Sequence, residues 1–127
     1  VHPLCTPELL REVLDAAADE THCRVIFDPV NLFCAADGQD RAYQAAHWSR
    51  WLEVIGDQLG AVHVKDCRIE ADGSKALLPL GEGDMDYTAI RAFLAACAPA
   101  APLIRDEVIL TADTADLHYL KAMAAGL

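Results

Sequence analysis

Positive charge is scarce in this chain: ten Lys and Arg stand against twenty Asp and Glu, a formal net charge of -10. A nucleic-acid backbone needs Lys and Arg to replace its counterions, and no basic stripe interrupts the acidic excess, so no nucleic-acid partner is expected. Long apolar runs are missing too. None approaches the ~20 residues that a bilayer span requires, so no membrane partner is expected either. The five cysteines, Cys5, Cys23, Cys34, Cys67 and Cys97, include no C-x-x-C pair. That argues against a zinc knot and for reduced thiols in a cytoplasmic protein. No charged-then-apolar signal pattern opens the sequence. Its first residue is Val1 rather than Met, and the start reads as a cut in a longer chain.

What is present is an ordinary globular composition, 54% hydrophobic over 127 residues, read as one domain over 1–127. Thr6-Pro7-Glu8 predicts a helix start, with Thr6 as N-cap and Pro7 in the first turn. Leu9, Leu10, Val13, Leu14 and Ala17 follow at helical spacing. Cys23 to Asp28 lacks polar alternation and predicts a parallel strand covered on both faces, stopped by Pro29. Asn31 is expected in the loop beyond. Asp37-Gly38 predicts a turn, and Ala42, Tyr43, Ala46, Trp51, Leu52 and Ile55 a second amphipathic helix ending near Gly56 or Gly60.

Ala61-Val62-His63-Val64-Lys65-Asp66 is the next buried strand, and the rest of the chain is organised around it. A long polar loop is expected from Asp66 to Gly83, with Asp72-Gly73-Ser74 at its tip. Asp86 is expected to cap a helix carrying Tyr87, Ile90, Leu94 and Cys97 on one face. Pro99 and Pro102 end it. Leu103 to Glu107 predicts a third strand ending in two acids, and Asp113 to Ala125 a last helix with Leu117, Leu120 and Ala124 inward. Strands alternating with helices of this length imply right-handed βαβ units and a parallel sheet, whose ligand site lies at the carboxyl ends of the strands.

Asp28, His63, Asp66 and Glu107 all fall at that rim. A mixed Asp, His and Glu set suits a divalent cation such as Mn²⁺, Mg²⁺, Co²⁺ or Zn²⁺, with oxygen-rich ligation favouring the harder ions. Lys65 and Asp66 fit an ion pair and a substrate contact equally well. Arg68 is a candidate anion clamp. Trp48 and Trp51, at helical spacing, read as packing residues rather than a sugar platform.

Phe27-Asp28-Pro29-Val30-Asn31, His63-Val64-Lys65-Asp66 and Leu80-Gly81-Glu82-Gly83-Asp84-Met85-Asp86-Tyr87, taken in order, resemble the "DPxN", "HxKD" and "GxGxxD[FY]" segments of the xylose isomerase-like TIM barrel family of sugar phosphate isomerases and epimerases. The resemblance is to the carboxyl-terminal half of the barrel. It implies an α/β fold, a partial (β/α)8 barrel of about four βα units with helices outside, since 127 residues are about half of a complete barrel.

It also implies a metal held by Asp28, His63 and Glu107, with a further glutamate expected on the strand leading into Val1-His2. Glu107 would double as the catalytic proton carrier, working through a metal-stabilised enediolate. His2, Asn31, Lys65, Asp66 and Arg68 are the expected contacts to a small sugar or sugar phosphate. An open half-barrel exposes strand edges and an apolar interior, so a homodimer or association with the missing half is expected. The functional expectation is a divalent-metal-dependent sugar or sugar-phosphate isomerase or epimerase. A non-catalytic half-barrel serving as a binding or assembly module, or a dehydratase or endonuclease of the same fold, is the alternative.

Overall fold

A computed structural model of the chain describes residues 6–17, 23–33, 40–125 and 127. The expected turn at Asp37-Gly38 and the side chains of His2, Cys5 and Cys34 lie outside them.

The first helix, α1 (Pro7–Ala16), starts as its sequence predicts: Thr6 Oγ1 accepts a hydrogen bond from the Leu9 amide at 3.2 Å, and Pro7 occupies the first turn. It buries Leu10 and Leu14, while Val13 and Leu9 stay partly in solvent. A three-residue strand, β1 (Val25–Phe27), runs into α2 (Pro29–Leu32). Asn31 is therefore helical rather than in a loop. The long helix α3 (Arg41–Ile55) is capped by Asp40, whose Oδ1 accepts from the Ala42 and Tyr43 amides, and it ends where Gly56 turns the chain at φ 55°. Its buried face is Gln44, Trp48, Trp51, Leu52 and Ile55, with Tyr43 outside. Both tryptophans are thus packing residues, Trp48 lying edge-on against Phe27.

The strands β1, β2 (Leu59–Val64) and β5 (Leu103–Arg105) form a parallel sheet in the order β1-β2-β5. The register sets Phe27 beside Val62, Val62 beside Leu103, and His63 beside Ile104. Side chains alternate across a strand. Val62 and Val64 enter the core with Phe27, Trp48, Leu52, Ile90 and Leu94, and Ala61 and His63 take the opposite face. That face is open: Ile26 is 57% exposed and Ile104 41%. The expectation of a strand covered on both sides is corrected here, since helices shield only one side of the sheet. Three parallel strands, with free edges at β1 and β5 among the described residues, make part of a barrel and not a complete one.

The stretch expected as a polar loop is instead an antiparallel hairpin, β3 (Asp66–Ile69) and β4 (Lys75–Leu78). Its tip is the one anticipated, with Gly73 at φ 83° and the Ser74 amide bonded to Asp72 Oδ1 at 2.9 Å. Each strand is only four residues long and carries charges, so backbone pairing rather than apolar alternation defines it.

The helix α4 (Thr88–Cys97) buries Ile90 and Leu94 and leaves Cys97 exposed at its end. Tyr87 is its capping position, with Asp86 Oδ1 accepting from the Thr88 amide at 2.9 Å. In α5 (Asp113–Ala124) the buried residues are Asp116 and Met123, while Leu117 is half exposed. Leu120 packs against the core as expected, Leu117 and Ala124 do not, and Asp116 is buried in an ion pair with Arg105. No helix among the described residues is long and apolar enough to cross a membrane.

Candidate metal centre

Asp28 ends β1 and caps α2. Its Oδ1 accepts from the Asn31 amide at 3.1 Å and its Oδ2 from Asn31 Nδ2 at 2.9 Å. The Asp-Pro-x-Asn order is what this local fold needs: a capping carboxylate, a proline in the first turn, and an amide side chain that returns to the cap. The Asp28 carboxylate is thereby fixed beside the open face of β2.

His63 projects from that face, with Nδ1 3.4 Å from Asp28 Oδ2 and 3.3 Å from Asp106 Oδ2. Asp106 follows β5 directly. Its Oδ1 accepts from the Glu107 amide at 2.9 Å, and Glu107 adopts a left-handed φ of 52°. The turn carries the Glu107 side chain into partial solvent and leaves Asp106 Oδ2 on the cluster. Donor atoms of Asp28, His63 and Asp106 lie within 4.8 Å of one another. Glu107, the expected third ligand, stands outside that trio, with Oε2 3.5 Å from Lys65 Nζ.

Lys65 is buried, its ammonium set among oxygens: Asp28 Oδ2 at 2.9 Å, Asp106 Oδ2 at 3.1 Å, Asn31 Oδ1 at 3.4 Å and Glu107 Oε2 at 3.5 Å. Burial alone would lower its pKa, but the hydrogen bonds of Asp28 and Asp106 and the Glu107 charge outweigh it, and the net shift is upward. The same bond from Lys65 holds the Asp106 carboxyl below its ordinary value. Tyr87 steadies this position from behind. Its hydroxyl donates to the Lys65 carbonyl at 2.7 Å and accepts from the Lys65 amide at 3.1 Å.

The remaining expected site residues lie elsewhere. Asp66 turns away from the cluster into the interior, where its carboxylate accepts from the amides of Cys67 and Met85 on Oδ1 and of Gly81 and Gly83 on Oδ2. Burial pushes its pKa up, and those four amides pull against that. With both oxygens engaged it anchors the 81–85 loop. Gly83 is required there, because a Cβ would come within 2.1 Å of Asp66 Oδ1. Arg68 is exposed on β3 and donates to the Glu82 carbonyl at 3.1 Å. His2 lies outside the described residues.

Two carboxylates and an imidazole, held at adjacent strand ends, suit a divalent cation with coordination positions left over. The ammonium of Lys65 already binds two of these donor oxygens, so a cation entering the trio would have to share them with it. The strand register, and not the sequence, selects Asp106. Ile104 pairs with His63, so period two carries Asp106, and not Glu107, to the face of the histidine. The roles of Tyr87, Arg105 and Asp116 depend on contacts across 11 or more residues and left no local signal.

The family model described as xylose isomerase-like TIM barrel matches residues 1–98. That span holds Asp28 and His63, while Asp106 falls beyond it. No significant match was found among curated proteins or among solved structures.

Proposed function

The chain belongs to the xylose isomerase-like TIM barrel family, and on that premise we propose that it is the carboxyl-terminal half-barrel of a divalent-metal-dependent sugar or sugar-phosphate isomerase or epimerase. The observation that carries this reading is the Asp28, His63 and Asp106 trio at the ends of adjacent parallel strands. A bound divalent ion would supply a positive charge that favours negative charge on a carbonyl oxygen of the sugar.

The chain's own residues would do the rest. Glu107 is half exposed and 3.5 Å from the Lys65 ammonium. It is free of the backbone bonds that engage Asp106, so it is the carboxylate available to take a proton from the carbon beside the carbonyl. Lys65 and Asn31, already touching, would orient substrate oxygens. The oxygens that Lys65 shares with the trio would turn to the metal when it binds, leaving the ammonium to face the substrate. The exposed Ile26 and Ile104 and the free edges of β1 and β5 support completion by a second copy or by a further barrel half.

Lys65 also favours a second reading. An internal ammonium neutralises the carboxylates without any metal, which suits a non-catalytic binding or assembly module. Proton NMR in D₂O separates the two. With Mn²⁺ and a panel of ketoses and ketose phosphates, the enzyme reading expects deuterium to enter the carbon next to the carbonyl, and to stop entering in Asp106→Asn. No exchange with any member of the panel would favour the module.

A further inference from the structure

Arg105 and Asp116 form a buried pair behind the cluster that the proposed reaction does not use. Arg105 pairs with Val64 in the β2/β5 register, so its side chain leaves the sheet on the helix side, opposite to Ile104 and Asp106. Its Nε donates to Asp116 Oδ2 at 2.7 Å, and Asp116 Oδ1 accepts from the Leu80 amide at 2.7 Å. Its Nη1 donates to the Val64 carbonyl at 3.3 Å and to the Asp106 carbonyl. One guanidinium thus ties together the ends of β2 and β5, and through Asp116 it reaches α5 and the 79–81 turn.

Desolvation offsets most of the attraction in a buried ion pair, so such a pair is a poor device for stability alone. What this one fixes is direction. The Asp106 carbonyl is held by Arg105, and the Asp106 amide donates to the Val64 carbonyl at 3.5 Å. With both sides of the residue restrained, its side chain keeps the face of His63, and the left-handed Glu107 follows. Residues 105, 106 and 116 all lie beyond the family match, so this arrangement is read from the chain itself.

We propose that the Arg105–Asp116 clamp positions Asp106, in place of Glu107, as the third donor to the divalent cation. The inference rests on the metal reading above. The Arg fork matters to it: a lysine keeps the charge but cannot span Asp116 and two carbonyls at once.

Mn²⁺ affinity of the full chain, followed by the electron paramagnetic resonance of free Mn²⁺, tests the clamp in a double-mutant cycle. The expected result is a fall of roughly tenfold or more in Asp106→Asn and in Arg105→Lys, with no further fall when the two are combined. A further fall in the pair, or a loss in Glu107→Gln as large as in Asp106→Asn, overturns the proposal. Where Arg105→Lys does not fold, Asp116→Asn carries the same comparison.

A wild-type chain that binds no Mn²⁺ overturns the metal reading instead, and the clamp is then decided without metal. Melting temperatures of Lys65→Met, Asp106→Asn and their pair are expected to be non-additive with Arg105 present and additive in Arg105→Lys. Non-additivity that survives Arg105→Lys overturns it.

Discussion

Asp106 Oδ2 lies 3.1 Å from Lys65 Nζ and 3.3 Å from His63 Nδ1, so one carboxylate oxygen serves an ammonium and an imidazole together. The lysine therefore competes with any divalent cation for that oxygen and for Asp28 Oδ2. Lys65→Met is expected to raise Mn²⁺ affinity by about tenfold or more, because a charge a few ångströms away is removed. It should also destabilise the metal-free chain by about 2 kcal/mol, less than a fully buried pair would lose because Asp106 is partly exposed. Isothermal titration and urea unfolding measure the two effects. Unchanged Mn²⁺ affinity would mean that Lys65 and the metal do not share ligands.

The pH dependence of that contribution has a definite sign. Lys65 is raised above its ordinary 10.5, so its stabilisation is complete below 10.5 and is lost as pH rises through the higher folded value. Asp106 is lowered below 3.8, so its share is present above 3.8 and is lost as pH falls through the folded value beneath it. Asp66 runs the other way: raised by burial, it favours the fold when protonated, and that advantage fades as pH rises. Taking the difference between wild type and Lys65→Met cancels the Asp66 effect. With His63→Gln in both chains, which removes the imidazole that faces the same two carboxylates, the difference in urea midpoint is expected to be flat from pH 5 to 9, about the range between the two shifted groups. A midpoint difference that changes within that range would contradict the assignment.

The glycines of the hairpin and of the anchored loop are expected to differ sharply. An alanine Cβ at Gly83 would meet Asp66 Oδ1 at 2.1 Å and the Cys67 carbonyl at 2.6 Å, so Gly83→Ala should cost about 3 kcal/mol. At Gly73 the same Cβ meets nothing within 4 Å, and only the left-handed backbone is penalised, by about 1 kcal/mol. Equal costs in urea unfolding would show that Asp66 does not hold the loop.

Cysteine reactivity offers a probe of burial. Cys67 is fully buried, and burial pushes its thiol up to about 11, whereas Cys97 is exposed. Iodoacetamide at pH 8 is expected to label Cys97 in the folded chain and Cys67 only after unfolding. Equal rates at the two, read by peptide mass spectrometry, would contradict the packing of β3.

Sequence reasoning reached those elements in which local chemistry and tertiary packing agree. Thr6 and Pro7 start α1, Gly56 stops α3, and the apolar run around His63 is a strand because caps and periodicity act within a few residues. It failed where long-range partners decide. The hairpin at Asp66–Leu78 carries too many charges to read as strands, and Asp116 joins the buried face of α5, beside Leu120 and Met123, only because Arg105 is there to pair with it. Asp28 and His63 were legible in the site as strand-end residues. The choice between Asp106 and Glu107 is not legible there, because the left-handed turn that separates their side chains leaves no mark on an Asp-Glu dipeptide.

Asp28, His63 and Asp106 are expected to hold one divalent ion between them. Native mass spectrometry of the chain with and without Mn²⁺ addresses it directly. The prediction is one Mn²⁺ per copy in the wild type, lost in both His63→Ala and Asp106→Asn. A wild type that takes up no Mn²⁺, or the same uptake in both variants, would contradict it.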